Sequence, residues 1–188
     1  MQRNTYLYIS LMLLALAACK NNTQTTQTAD TASNDSASSA PAIVQHNFPE
    51  APVRDSRDTS FKLNGKLYSV RLQKNTIDTS MVVFPGNAMG KKIMDVYYDF
   101  EYFLTPKGPD YKGKEIKVTK HNFKDEFNDD FFNRSILYDM KFEGYNEINK
   151  EYEFTFMINK PDTESTFKIY FFINNNGETH YEVEDIEA

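Results

Sequence analysis

Cysteine, histidine and tryptophan are scarce in this chain of 188 residues, which has one cysteine, three histidines and no tryptophan. The single cysteine, Cys19, excludes a disulfide within the chain, so the folded part depends on its hydrophobic core. The three histidines, His46, His121 and His180, lack the short spacings of metal sites. No serine lies on the Gly-x-Ser-x-Gly turn of many hydrolases. We therefore expect no metal, no cofactor and no enzymatic activity.

Clustered positive charge is also missing. The chain has 21 lysine and arginine residues against 27 aspartate and glutamate residues, and its formal net charge is -6. The basic residues form only short groups, such as Lys91-Lys92. Proteins that bind a phosphate backbone gain affinity from clustered cations, which release counterions from the nucleic acid. The sequence therefore predicts no nucleic-acid partner.

A long apolar segment is missing as well. The apolar residues at positions 7–18 follow Arg3 and form a run of about a dozen residues, whereas a membrane-spanning helix needs about 20. A short apolar run behind a positive charge is typical of a secretory signal peptide, which is removed from the mature protein. We predict a signal peptide over residues 1–18.

The end of this run carries a specific motif. Leu16-Ala17-Ala18-Cys19 resembles the lipobox of bacterial lipoproteins, in which a leucine and two small residues precede a cysteine. The resemblance implies that the chain is cut before Cys19, that the thiol receives a diacylglyceryl group, and that the new amine is acylated. Two or three acyl chains hold a protein durably on a membrane without spanning it. We therefore expect the protein to have the membrane as a partner, through a lipid anchor on Cys19.

The residues after the cysteine bear on location. Lys20 resembles the sorting signal for the outer membrane more than the aspartate that retains lipoproteins at the inner membrane. An acidic run after the cysteine would resemble the surface-export signal of lipoproteins in Bacteroides-type bacteria. No such run follows Cys19. These resemblances favour an anchor in the outer membrane on its periplasmic face, with the cell surface as the alternative.

Residues 19–58 are expected to form a tether. Residues 20–40 are small or polar and cannot bury enough apolar surface to fold, so we predict disorder there. Residues 41–60 contain a few apolar residues among three prolines, which favours an extended arm that packs on the folded domain. The domain itself is predicted over residues 59–188.

The dominant pattern of that domain is an alternation of apolar and polar residues, which is typical of half-buried strands. Asn64-Gly65 is the strongest two-residue hairpin signal, and it places Phe61 opposite Tyr68. Residues 93–104 form the clearest strand, and a turn over residues 85–92 separates it from a short strand at 81–84. We predict a mostly antiparallel β fold, either a sandwich or an open barrel of seven to nine strands.

One short helix interrupts the strands. Phe123, Phe127 and Phe131 recur at the spacing of one helix face within residues 122–134. Asn122 is a plausible N-cap, and a break is expected near Asn128.

The C-terminal third reads as a meander of strands whose side-chain parity constrains the loops. An odd number of loop residues is expected between the strands of Phe142 and Tyr152, and an even number between the next two strands. The last hairpin is predicted to have a three-residue loop with Gly177 in the left-handed conformation.

Several segments together carry a second resemblance. They are Phe61-Lys62-Leu63-Asn64-Gly65-Lys66-Leu67-Tyr68, Phe131-Phe132-Asn133-Arg134-Ser135-Ile136-Leu137 and Lys160-Pro161-Asp162. With the lipobox and the polar tether, they resemble a small uncharacterised lipoprotein family of Bacteroides-type bacteria, known only as a domain of unknown function. The resemblance implies no activity and no catalytic residue.

The alternating strands leave three functional hypotheses open. Tyr170 and Phe172 fall on the outward parity. They are either covered by the helix or the arm, or exposed as a binding surface for a protein, glycan or lipid. A closed barrel would instead carry a small apolar ligand.

Asp99 and Glu101 lie on the polar face of one strand, where they could act as the acid and base of a hydrolase, although a solvated strand face explains them as well. We favour a non-enzymatic, lipid-anchored binding module, ahead of the carrier and the hydrolase.

Overall fold

The computed structural model describes residues 42–186. The predicted signal peptide, the lipobox with Cys19 and most of the predicted tether therefore lie outside the described residues. The strands are β1 (Ile43–Phe48), β2 (Arg54–Leu63), β3 (Lys66–Ala88), β4 (Lys91–Lys107), β5 (Ile116–Val118), β6 (Ile136–Asn146), β7 (Glu151–Asn159), β8 (Thr166–Asn174) and β9 (Thr179–Asp185). A 3₁₀ helix, Lys120–Glu126, and an α-helix, α1 (Asp129–Arg134), connect β5 to β6.

The strands of residues 42–186 form two sheets, as predicted for a mostly antiparallel β fold. The first sheet has five strands in the order β1-β4-β3-β2, with β5 on β4 as well. The second has four strands in the order β6-β7-β8-β9. The described sheets form a sandwich and no closed barrel, so the sandwich alternative is confirmed.

The core lies between the two sheets. Aromatic residues dominate it, and Tyr102, Tyr152 and Phe156 have essentially no exposed surface. The 3₁₀ helix contributes Phe123 and α1 contributes Phe131 to the same core. Each large apolar side chain contributes about 1.5–3 kcal/mol when it leaves water, so this packing is the main source of stability in a domain without disulfides.

The arm before the predicted domain is part of the first sheet. β1 pairs in parallel with β4, from Ile43 opposite Lys92 to Phe48 opposite Tyr97, and the Phe48 and Tyr97 rings stack at 4.7 Å. β2 starts at Arg54. The sheet thus begins at Ile43, well before the predicted boundary at residue 59, because the extended arm hydrogen-bonds to the free edge of β4.

The first hairpin has the predicted register. Leu63 pairs with Lys66 and Phe61 with Tyr68 across the turn. Asn64 and Gly65 both have positive φ, 49° and 77°, which matches the right-handed twist of the strands.

The second hairpin is longer than the sequence indicates. β3 continues through residues 81–84 to Ala88, with a register shift between Ile77 and Met81. The turn predicted over residues 85–92 is therefore reduced to Met89 and Gly90, both at positive φ.

The helical segment is divided, as expected, at Asn128. The Asn128 side chain caps α1 by accepting a hydrogen bond from the Phe131 backbone N–H at 2.9 Å. The prediction that Asn122 is the N-cap was wrong. Thr119 is the N-cap of the 3₁₀ helix, and the Asn122 side chain accepts a hydrogen bond from the Thr119 N–H at 2.8 Å instead.

Two of the three predicted loop parities are confirmed. Asn159 pairs with Thr166, which leaves the even-numbered loop 160–165. The Asn174 N–H donates to the Glu178 carbonyl at 3.0 Å, which leaves a three-residue loop with Gly177 at φ 83°.

The third parity was wrong. Asn146 pairs with Glu151, so the loop between β6 and β7 is residues 147–150, an even number. A register shift between Phe142 and Gly144 leaves Glu143 unpaired in β6. This β-bulge supplies the odd residue that keeps both strands facing the core.

Candidate functional site

The open edges of the two sheets meet at one side of the sandwich. β2 is an edge of the first sheet and β6 is an edge of the second. The Arg57 guanidinium of β2 donates to the Met140 carbonyl at 3.4 Å, and the Lys74 ammonium of β3 donates to the Tyr138 carbonyl at 2.7 Å. Two cations of one sheet thus occupy carbonyl groups of the other sheet's edge, which would otherwise be open to pairing with another chain.

A cleft of about 180 Å³ lies between these edges. Its walls combine two basic and two acidic side chains with apolar ones: Asp55, Arg57, Leu72, Gln73, Lys74, Tyr102, Asp139 and Met140. The volume is below the 300–1,000 Å³ of most drug-sized sites but exceeds the roughly 30 Å³ of one water molecule. The cleft can therefore hold a small polar group with its hydration.

Tyr102 is the most unusual lining residue of the cleft. It is 1% exposed, and its buried hydroxyl has no hydrogen-bond partner among the described residues. Burial raises the pKa of the Tyr102 hydroxyl, with a further rise from the Asp139 and Asp99 charges, so the group keeps its proton. A buried hydroxyl without a partner costs about 1–3 kcal/mol. A ligand that accepts a hydrogen bond there would relieve this cost.

Lys74 lies beside Tyr102 on the neighbouring strand. The two residues are cross-strand partners, and the Lys74 ammonium lies 4.0 Å from the centre of the Phe100 ring. Burial lowers the pKa of the Lys74 ammonium, against the opposing charges of Asp139 and Asp55. An ammonium donates up to three hydrogen bonds, and one goes to the Tyr138 carbonyl. Lys74 therefore has donors left for a ligand.

The sequence contains one indication of this cleft, which is a pair of charged residues at positions where alternation predicts core residues. Arg57 is paired with the core residue Leu72, and Lys74 with the core residue Tyr102, so both cations lie at positions of inward parity. Charged residues at such positions mark the end of the core or a polar site. The contact with β6 that completes the cleft depends on tertiary packing and has no sequence pattern.

Asp99, the first member of the predicted acid–base pair, is 1% exposed, so its placement on a solvated strand face was wrong. Lys120 of the 3₁₀ helix and Leu137 of β6 lie against that part of β4. The Asp99 carboxylate accepts hydrogen bonds from the backbone N–H groups of Leu137 at 2.8 Å and Phe100 at 3.0 Å and from the Ser80 hydroxyl at 3.3 Å. Burial raises the pKa of Asp99, while the nearby Lys120 ammonium opposes the rise.

Lys120 completes the cluster around Asp99. It is 6% exposed and donates to the carbonyls of Ser135 at 2.7 Å and Phe132 at 3.2 Å. Its ammonium lies 3.6 Å from the Asp99 carboxylate. This cluster joins β4 to the helical segment and to β6, which is a structural role.

Glu101, the second member of the predicted pair, has its own partners. Its carboxylate pairs with the Lys117 ammonium at 2.6 Å and accepts from the Asn75 amide at 3.2 Å. The Lys117 hydrogen bond lowers the pKa of Glu101. Asp99 and Glu101 are thus each held by separate protein groups.

Tyr170 and Phe172 lie on the outer face of the second sheet and are half-buried. The Tyr170 hydroxyl donates to Glu184 at 2.7 Å, and the Lys168 ammonium lies 4.5 Å from the Tyr170 ring centre. Phe172 stacks on His180 at 4.7 Å. These partners belong to β8 and β9, so neighbouring side chains of the same sheet cover part of each ring and leave the rest exposed.

The remaining predicted sites have simple outcomes. The carrier hypothesis needed a barrel, and the described sheets form a sandwich with aromatic side chains packed between them. Among residues 42–186, no group of three or more His, Cys, Asp or Glu side chains is placed to hold a metal ion. Within the same residues, no helix has the length and apolar character to cross a membrane. Cys19 lies outside the described residues.

The comparisons with known proteins give one result. A family model described as a domain of unknown function (DUF4738) matches residues 34–180. The match includes every residue that lines the cleft. Comparison with curated proteins gave no match.

Proposed function

We propose that this chain, which belongs to the DUF4738 family of domains of unknown function through residues 34–180, is a lipid-anchored binding module of the cell envelope and not an enzyme. Cys19 carries the anchor, in the outer membrane and on its periplasmic face. The sandwich that begins at Ile43 is the binding part. The lipobox resemblance supports the anchor, and the geometry of the cleft supports the binding role.

The observation that carries the binding role is the Tyr102 hydroxyl. It is buried and lacks a partner among the described residues, in a cleft whose walls include Lys74 and Arg57. Buried polar groups of folded proteins are nearly always hydrogen-bonded, and the Tyr102 hydroxyl is free to donate to a molecule that binds in the cleft beside it. Three donor side chains around one small space favour a ligand group that accepts several hydrogen bonds, such as a carboxylate.

The acidic residues of the cleft refine this proposal. Asp55 is the cross-strand partner of Lys74, and Asp139 lies across the cleft on β6. The formal charges of the two cations and two carboxylates balance. A ligand that bears both a carboxylate and an ammonium group, such as an amino acid or a short peptide, matches this arrangement better than a dianion.

A thermal-shift screen tests the binding role. The mature chain is melted with amino acids, dipeptides, dicarboxylates and sugar acids. A ligand at about 100 times its dissociation constant adds about 2.7 kcal/mol, which raises the melting temperature of a domain of this size by roughly 5–10 °C. We expect this rise in wild type and its loss in Tyr102→Phe and Lys74→Met, with the exposed Lys62→Met as control. An equal rise in all variants, or a rise with none of the compounds, would contradict the binding role.

The outer face of the second sheet is the second candidate surface, for a protein or glycan partner. Tyr170 and Phe172 are each fixed by a neighbour, Glu184 and His180, so the rings lose little side-chain entropy on binding. Cross-linking in intact envelopes followed by a pull-down compares wild type with Tyr170→Ala and Phe172→Ala. Loss of a partner in both variants supports this surface, and unchanged partners refute it.

A further inference from the structure

We propose that the tip of the β3–β4 hairpin is a second contact with the membrane and holds one end of the sandwich against anionic lipid headgroups. The tip consists of Met89, Gly90, Lys91 and Lys92, together with Ile43 at the start of β1. The inference rests on the proposed lipid anchor at Cys19, because the anchor brings the tip to a lipid surface.

The apolar part of the tip is Met89. The residue is fully exposed, and its backbone φ is 50°. Left-handed backbone is unfavourable for most residues other than glycine and asparagine, and a fully solvated methionine gives the fold no burial in return. A flexible apolar side chain at the end of a two-residue turn is, however, well placed to enter the headgroup region of a bilayer.

The basic part of the tip is Lys91-Lys92. Both lysines are exposed, and they directly follow the turn. Within a chain of net charge -6, they are the two adjacent cations at the end of a projecting hairpin. A lysine near an anionic membrane surface raises the binding constant by about fivefold. Together the two lysines account for roughly a 30-fold preference for anionic over neutral lipid.

β1 extends the apolar surface of the tip and fixes its place along the chain. Ile43 is 57% exposed and pairs with Lys92, and Val44 pairs with Ile93. Because β1 runs parallel to β4 and β4 starts at the tip, β1 starts at the tip as well. Residue 42 is therefore at this end of the sandwich, and residues 20–41 connect it to Cys19.

Because the chain is tethered to the membrane close to the tip, even a weak affinity of the tip for lipid is sufficient to keep it on the membrane. For the flexible tether that the sequence predicts after Cys19, a length of residues 20–41 corresponds to a root-mean-square span of roughly 25 Å. Tethering at that distance raises the effective concentration of lipid at the tip into the millimolar range. One methionine and two lysines then hold the tip on the membrane, although they bind only weakly when the anchor is absent.

Vesicle binding of the unanchored protein tests this contact. The mature chain with Cys19→Ala is titrated with millimolar vesicles of phosphatidylcholine alone or mixed with phosphatidylglycerol, and bound protein is measured by flotation. We expect binding to the anionic vesicles that weakens with added salt. Met89→Asp lowers this binding about tenfold or more. The double variant Lys91→Glu, Lys92→Glu abolishes the preference for anionic lipid.

Ile148→Asp is the matched control. Ile148 is 92% exposed in the β6–β7 loop. The neighbouring Glu147 accepts hydrogen bonds from Asn64 in the β2–β3 turn, at the opposite end of β3 from the tip. The control should bind as the parent Cys19→Ala chain does. Equal binding of that parent chain to both vesicles, or equal losses in Ile148→Asp and Met89→Asp, overturns the proposal. Cys19 is replaced in every sample, so a negative result here refutes the membrane contact of the tip without refuting lipidation. Lipidation is tested separately, by detecting acyl chains on Cys19.

Discussion

The ammonium of Lys120, in the 3₁₀ helix, lies 3.6 Å from the carboxylate of Asp99, in β4, and both groups are buried. Neither charge depends on its partner alone, since Asp99 also accepts from two backbone N–H groups and Lys120 donates to two carbonyls. Such a network satisfies two desolvated charges and fixes the path of the chain from β5 to β6. Removing one member leaves the other charge buried without its counter-charge.

Lys120→Met is expected to be strongly destabilising. Loss of one partner from a buried ion pair costs about 3–5 kcal/mol, whereas an exposed pair is worth about 1 kcal/mol or less. Urea unfolding of Lys120→Met and of the control Lys117→Met, whose ion pair with Glu101 is partly exposed, measures the difference. Burial raises the pKa of Asp99, so protonation of Asp99 relieves the unpaired charge and the loss should shrink as the pH falls. Equal losses at Lys120 and Lys117 would contradict this account.

Gly177→Ala separates backbone strain from steric clash. Gly177 has φ 83°, and a Cβ there would lie 2.8 Å from the Gly113 Cα. Gly65 has φ 77°, and no atom lies within 4 Å of an added Cβ. We expect Gly65→Ala to cost about 1 kcal/mol from the left-handed backbone and Gly177→Ala about 2–3 kcal/mol from strain and clash together. Urea unfolding compares the two variants, and a loss at Gly177 no larger than at Gly65 would count against the observed contact.

Tyr97 should ionise at a higher pH than an ordinary tyrosine. Burial and its hydrogen bond to Asp162, at 2.6 Å, raise the pKa of Tyr97 to about 12. Since the folded-state pKa lies above the unfolded value, the neutral phenol contributes stability that is fully present below pH ~10 and is lost as the pH rises through about 12. The alkaline absorbance titration of wild type minus that of Tyr97→Phe isolates this group. A midpoint near 12 is expected, and a midpoint near 10 would show that the hydroxyl is solvated.

Tyr102→Phe should leave the ligand-free protein as stable as wild type or make it more stable by about 1 kcal/mol. The change removes a buried hydroxyl that lacks a partner among the described residues. Tyr97→Phe is the contrasting control, because its hydroxyl donates to Asp162 and should cost about 1 kcal/mol when removed. Melting curves measure both variants, and a clear loss in Tyr102→Phe would show that its hydroxyl is already bonded, to protein or to retained solvent.

The features that the sequence predicts best are local. The register of Phe61 with Tyr68 follows from Asn64-Gly65, and the left-handed Gly177 follows from the parity of β8 and β9. Both depend on residues a few positions apart, so turn chemistry and alternation are sufficient. The break at Asn128 belongs to the same class, since a capping side chain acts on its own helix.

The features that it misses depend on what another segment covers. Alternation places Asp99 on the polar face of β4 but cannot show that the helical segment lies over that face. Parity counts cannot anticipate a bulge at Glu143, because a bulge changes the count itself. The cleft requires the edge of β6 to meet Arg57 of β2 and Lys74 of β3, which have inward parity and lie far from β6 in the sequence. The one indication in the sequence is the presence of charged residues at strand positions that face the core.

The central claim is that acyl chains on Cys19 hold this sandwich on the membrane. Mass spectrometry of the N-terminal peptide of the mature protein, purified from membranes, tests it most directly. The account predicts a peptide that begins at Cys19 and carries the mass of a diacylglyceryl group and an amide-linked acyl chain. It also predicts that Cys19→Ala, once its signal peptide is removed, no longer partitions wholly with membranes. A mature N-terminus elsewhere, an unmodified Cys19 thiol, or unchanged partitioning of Cys19→Ala after removal of the signal peptide would contradict it.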